Sequence, residues 1–243
     1  IDLSGQEFLQ GGGTYPVMDW QNGALALFEM KLVTEKKLDK PQGSQRSVCL
    51  LHHVELPFKH LFMEMDGVTK SKDTWTGPIG ILASGEVHKL TPINFDPVPN
   101  PDLPQCPQAI LVNLSTDQQI FYRLCIAIST GVMDLSLAQI NIGKMTTARW
   151  LNTQSRILRS YASEDNPSEN LFRLVNYIIH VFAPTLFNIK WKPNFVNGPS
   201  HLLLEIQLQN QHCTESELQI VRKYVQINGF FGHQENTLIG CLG

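Results

Sequence analysis

From Leu114 onward, apolar positions return every three or four residues, and each run begins and ends on residues suited to a helix terminus. Ser115 with Gln118 forms a capping-box pair, in which each side chain can satisfy the other's orphan backbone N–H. The helix it predicts carries Phe121, Leu124 and Ile128 inward and stops at Gly131. "MTTARWLNTQSRILRSYAS" (Met145–Ser163) predicts a second helix, capped by Thr146 or Thr147. Ser168, just after Pro167, opens a third with Leu171, Leu174, Val175, Ile178 and Phe182 inward, and Pro184 kinks or ends it. Gly198-Pro199-Ser200 opens a fourth. Thr214 with Glu217 is a second capping box, for a helix through Leu218, Val221 and Val225 that ends at Gly229; a short helix follows Gln234.

The first half is more broken. Asp19 predicts the cap of a helix running to about Val33, with Leu25, Phe28 and Leu32 on one face. "SVCLL" (Ser47–Leu51) reads as a short buried strand, and Pro57 suits the first turn of a helix over "PFKHLFMEM". Between Thr91 and Gln108 there are six prolines in eighteen residues, each removing a backbone donor and biasing its predecessor toward extended backbone. That stretch reads as a linker or a long surface loop. It divides the chain into a mixed α/β region over residues 1–108 and a helical domain over residues 109–243, without an internal repeat.

Composition supports a packed core: 42% of residues are hydrophobic and 17% charged. The formal net charge of −3 leaves nucleic-acid contact to a local basic patch. The five cysteines are odd in number and scattered, which points to reduced thiols in an intracellular compartment, with Cys125 buried. No run of about 18 apolar residues predicts a membrane span, and no basic-then-apolar leader opens the chain. The start at Ile1 and the end in "GCLG" read as a piece of a longer chain.

The chemistry on offer is thin. Cys49 and His52, with His53 and His60 nearby, are the best metal-like group, but zinc wants two close ligand pairs and only one is present. Gly11-Gly12-Gly13-Thr14 lacks the lysine of a phosphate loop and the spaced glycines of a dinucleotide fingerprint. Neither a Gly-x-Ser-x-Gly elbow nor a His-Glu-x-x-His helix occurs. Asp117, Glu164 and Glu217 sit near helix starts, where carboxylates serve as dipole partners. Over Met145–Ser163, Arg149, Asn152, Arg156 and Arg159 share one helix face, opposite Trp150, Ile157, Leu158 and Tyr161. A solvated stripe is the reading that pattern alone favours; phosphate contact through the guanidiniums is the alternative.

Six blocks in order change that balance: "CLLHHVELPFKHLFMEMDG", "TWTGPIG", "LSTDQQIFYRLCIAISTG", "ARWLNTQSRILRSY", "NPSENLFRLVNYIIHVFAPTLFNIK" and "ENTLIGCLG". Together they resemble the hAT-like, transposon-derived proteins of arthropod genomes, over nearly the whole chain from about Gly11. The resemblance implies a mainly α fold with a small α/β part, a partial RNase H-like core followed by an all-α insertion domain. It implies DNA contact at Arg149 and Trp150, the aromatic stacking on a displaced base while arginine holds phosphate; Arg156 and Arg159, on the same stripe as Arg149, are further candidates by spacing. Such transposases hold two divalent ions with three carboxylates. The family's acidic position in the Asp-Gly-Thr turn is here Gly12, although Thr14 and Trp20-Gln21-Asn22-Gly23 keep the motif's spacing. Asp19 is taken as a helix cap, and Glu235 has no motif to support it as a substitute. The expectation is therefore a catalytically inactive, nuclear transposase fragment with a DNA-binding role. No cofactor is expected, a divalent metal entering only with an active core outside this chain. The alternatives are a helical protein-interaction module, self-associating through its helical domain, or a relic without function.

Overall fold

Helix α1 (Leu50–Asp66) sets one wall of the core with Val54, Phe58, Leu61 and Phe62, all at most 2% exposed. The computed structural model describes residues 14–18, 25–29, 50–67, 74–100, 102–146, 150–193 and 197–228. Pro57 lies inside α1 rather than at its start, and Leu50 and Leu51 open the helix instead of ending a strand. An interior proline costs about 3 kcal/mol or more, yet it leaves that buried apolar face on one helical stripe. Ser47, Val48 and Cys49 lie outside the described residues.

The chain is mainly helical. After α1 come α2 (Pro78–Ser84), a 3-10 turn (Val87–Lys89), α3 (Gln108–Leu111), α4 (Thr116–Thr130), α5 (Leu135–Ala138) and α6 (Trp150–Tyr161). Then follow α7 (Glu169–Tyr177), a π-helical segment (Ile178–Phe182), α8 (Ala183–Trp191), α9 (Gly198–His212) and α10 (Glu215–Asn228). Strand β1 (Thr14–Met18) pairs antiparallel with β2 (Leu25–Glu29), Pro16 opposite Leu27. Residues 25–29 thus form a strand where a helix was expected; five residues, four of them apolar, are too short a window to separate a period of 3.6 from one of 2. Asp19, the expected cap, lies outside the described residues, as do Gly229 and the helix expected after Gln234.

The helix ends in the second half follow their local chemistry. Ser115 N–H donates to Gln118 Oε1 at 3.2 Å, and Gly131 closes α4 at φ 73°, a left-handed conformation that glycine adopts without steric cost. Ser168 Oγ accepts from Leu171 N–H at 3.2 Å. Thr214 N–H donates to Glu217 Oε2 at 2.6 Å. Pro184 has no N–H for the carbonyl of His180, and the helix passes through the π segment just before it. Thr185 Oγ1 donates to the carbonyl of Val181 at 2.8 Å in the same turn.

The proline-rich stretch is a strap laid on the helices. Ile93 N–H donates to Ala162 O at 2.9 Å and Val98 N–H to Ile128 O at 3.0 Å. Tyr161 Oη donates to Asp96 O at 3.0 Å, and Asn100 Nδ2 to Ile179 O. Phe95, Val98 and Cys106 join a core that runs from Val54 to Val221, so apolar packing is continuous across residue 108.

Between α1 and α2, Asp66 accepts from Ile79 N–H at 2.8 Å and Gly80 N–H at 2.7 Å, covering the first donors of α2. Burial pushes this carboxyl above its ordinary range despite those two bonds. A Cβ on Gly80 would sit 2.9 Å from both Asp66 Oδ2 and Trp75 Cβ. Gly80→Ala is therefore expected to destabilise the chain by about 2 kcal/mol, measured by denaturant unfolding; an unchanged midpoint would contradict this packing.

Candidate functional site

Helix α6 carries three of the sequence-predicted DNA contacts, Trp150, Arg156 and Arg159, and it is enclosed on both faces. It packs against α4, α2, α7 and the 3-10 turn. Arg156 is 6% exposed, Arg159 0% and Trp150 1%. Arg156 and Arg159, which pattern places on a solvated stripe, are interior, because tertiary neighbours cover their side of the helix as well as the apolar one.

Arg156 spends its donors on backbone carbonyls. Its Nε donates to Ala83 O at 2.6 Å, and Nη1 to Ile142 O at 2.7 Å and Gly143 O at 3.2 Å. Its Nη2 donates to Gly85 O and to Ser84 O. Ala83, Ser84 and Gly85 form the C-terminal end of α2, where carbonyls lack intrahelical donors and the helix dipole is negative. Arg159 repeats the device. Its Nε donates to Ala138 O, the last residue of α5, at 3.0 Å, Nη1 to Ser163 Oγ at 2.6 Å, and Nη2 to Leu90 O. Burial pulls both guanidiniums below their ordinary pKa. The planar five-donor fork that would suit a phosphate here ties two loops, 83–90 and 138–143, onto α6.

Trp150 is the centre of an aromatic cluster. Its ring centroid lies 6.0 Å from Phe58, 5.8 Å from Phe62 and 6.0 Å from Trp75. Arg149, its partner in the sequence motif, lies outside the described residues, as do Cys49 and Gly12. His52 is in α1, with its backbone alone described. Among the described residues no three His, Cys, Asp or Glu side chains gather as metal ligands. Cys125 is fully buried, as its surroundings in sequence predict, and burial raises its thiol pKa well above the ordinary value.

Two polar groupings escaped the sequence reading. In α9, His201, Glu205 and Gln209 make a buried stripe at a spacing of four, at most 4% exposed, while Leu202, Leu203 and Leu204 are only partly covered. Gln209 Nε2 donates to Tyr177 Oη at 3.2 Å and to Glu205 Oε1 at 3.3 Å. Burial pushes the Glu205 carboxyl up to about 8, and raises the Tyr177 hydroxyl and Cys213 thiol beside it. The i, i+4, i+8 spacing was the available signal, masked by the more apolar leucines between. The second grouping is a stacked pair, His180 of the π segment and His212 at the end of α9, with ring centroids 4.4 Å apart and planes 10° apart.

No protein-family model, curated protein or solved structure matches the chain. Among the described residues no helix is long and apolar enough to cross a membrane.

Proposed function

We propose that this chain is a transposon-derived helical module that works through protein contact, self-association included, and carries no strand-cleaving chemistry. The observation that carries this reading is the fate of Arg156 and Arg159: the donors a phosphate would use are committed to carbonyls and to the Ser163 hydroxyl within the fold. The two-metal chemistry of the transposases it resembles does not fit its residues, since the position of the first carboxylate is Gly12, which has no side chain to ligate an ion. On this reading the mixed N-terminal part is a remnant of an RNase H-like core, the helices from α3 onward form the insertion domain, and the protein is nuclear.

Contact surface is available on one edge of α4. Arg123 Nη2 lies 3.5 Å from Ser136 Oγ and 3.8 Å from Asp134 Oδ2, joining α4 to the start of α5. Around that link Ile126, Val132 and Leu135 are 41%, 72% and 65% exposed. Sedimentation velocity across a concentration series tests the reading: the wild-type chain is expected to associate and Val132→Asp/Leu135→Asp to shift toward monomer. A wild-type chain that stays monomeric throughout would overturn the self-association. Magnesium- or manganese-dependent DNA strand cleavage would overturn the absence of chemistry.

A further inference from the structure

His180 and His212 close a corner where three parts of the chain meet. His180 lies in the π segment that follows α7, His212 is the last residue of α9, and the strap brings Asp102 within reach. Asn176 Nδ2 donates to the carbonyl of His212 at 3.1 Å, and Asn100 Nδ2 to that of Ile179, next to His180. The two rings lie nearly parallel at 4.4 Å. His180 Nδ1 and His212 Nε2 are buried with no hydrogen-bond partner. π-helical turns are uncommon and recur at functional positions.

The charges around this stack are asymmetric. The groups that act electrostatically on His180 are His212, which disfavours its proton, and Asp102, which favours it. Asp102 Oδ2 lies 3.8 Å from His212 Nε2, and α7 presents the neutral Asn176. One carboxylate can balance one imidazolium. A second, 4.4 Å from the first, has no counter-charge and is partly withdrawn from water.

We propose that the His180–His212 stack is a proton-sensitive latch that holds the end of α9 against the π segment and releases it on acidification. The stack accommodates at most one proton. Taking up the second separates the rings, and with them the turn at Cys213 and Thr214 that leads into α10. The linkage has a definite sign. Burial first, then His212, lowers the His180 pKa from 6.5 to about 4, so the closed corner binds fewer protons than the open one. Closure is complete above the ordinary histidine value and weakens as pH falls through the interval down to about 4.

Amide hydrogen exchange of the intact chain, corrected for the intrinsic pH dependence of exchange, reads the latch directly. The amide of Cys213, which donates to Gln209 O, is expected to lose protection about tenfold between roughly pH 7 and pH 5. In His180→Phe, which keeps a flat ring without a titratable nitrogen, protection should stay level over that range. His212→Phe serves the same purpose if the first variant does not fold. Unchanged protection in the wild type, or an equal loss in the phenylalanine variants, would overturn the proposal.

Discussion

Arg159→Met is expected to cost roughly 3–5 kcal/mol of stability, or about 10 °C in Tm. The substitution keeps the aliphatic stem but strands Ala138 O, Leu90 O and Ser163 Oγ, each of which now accepts from the guanidinium. Each abandoned acceptor in the interior costs about 1–3 kcal/mol, and relief of the buried cation's desolvation offsets part of the sum. Two of the three, Ala138 O and Leu90 O, are backbone carbonyls and cannot be mutated away, so no companion substitution can neutralise the whole loss, unlike the replacement of a complete side-chain ion pair. Arg159→Lys is expected to lose nearly as much, because a single ammonium cannot reach all three acceptors. Denaturant unfolding of both variants checks this. Wild-type midpoints would mean that the guanidinium is not engaged as described.

Glu205→Gln is expected to act in the opposite direction, and only at the alkaline end. The folded chain holds this carboxyl at about 8 against an ordinary 4.5, because burial disfavours its charge. A raised acid binds its proton more tightly when folded, so its contribution to stability is whole below about pH 4.5 and is lost as pH rises to about 8. The total is on the order of 4 kcal/mol. Glutamine removes the titration, and its carbonyl oxygen keeps the acceptor that Gln209 Nε2 uses in the wild type. The variant should therefore gain stability over the wild type progressively from about pH 5 to pH 8, with the difference vanishing near pH 4.5. Urea unfolding across that range measures it. A difference independent of pH would place Glu205 in a wetter site than α9 provides.

What the sequence made legible is what is local. Ser115 with Gln118, Ser168, Thr214 with Glu217, and Gly131 mark helix ends because their partners lie within a few residues. The inward set Leu171, Leu174, Val175, Ile178 and Phe182 followed from one period sustained over more than three turns. Pro57 misled because burial of Phe58, Leu61 and Phe62 decided the helix against a local penalty. The exposure that pattern predicts for Arg156 and Arg159 misled for a different reason. A fork of donors at helical spacing fits phosphate oxygens and the carbonyls of two helix ends equally well, and the choice lies in residues about 70 positions away, at Ala83 and Leu90. Trp150 was read beside Arg149 in a sequence motif, whereas its ring packs with Phe58, Phe62 and Trp75 from two other blocks.

The interior role of α6 is tested most directly by titrating hairpin DNA and its matched duplex, at low and high salt, with the wild-type chain and Arg159→Lys at a temperature where both are folded. The two proteins are expected to show the same affinity and no hairpin preference that depends on Arg159, alongside the lowered Tm of the variant. Salt-sensitive hairpin binding that is lost in Arg159→Lys while its Tm stays at the wild-type value would contradict it, returning α6 to the DNA-facing role that its arginines suggest in sequence.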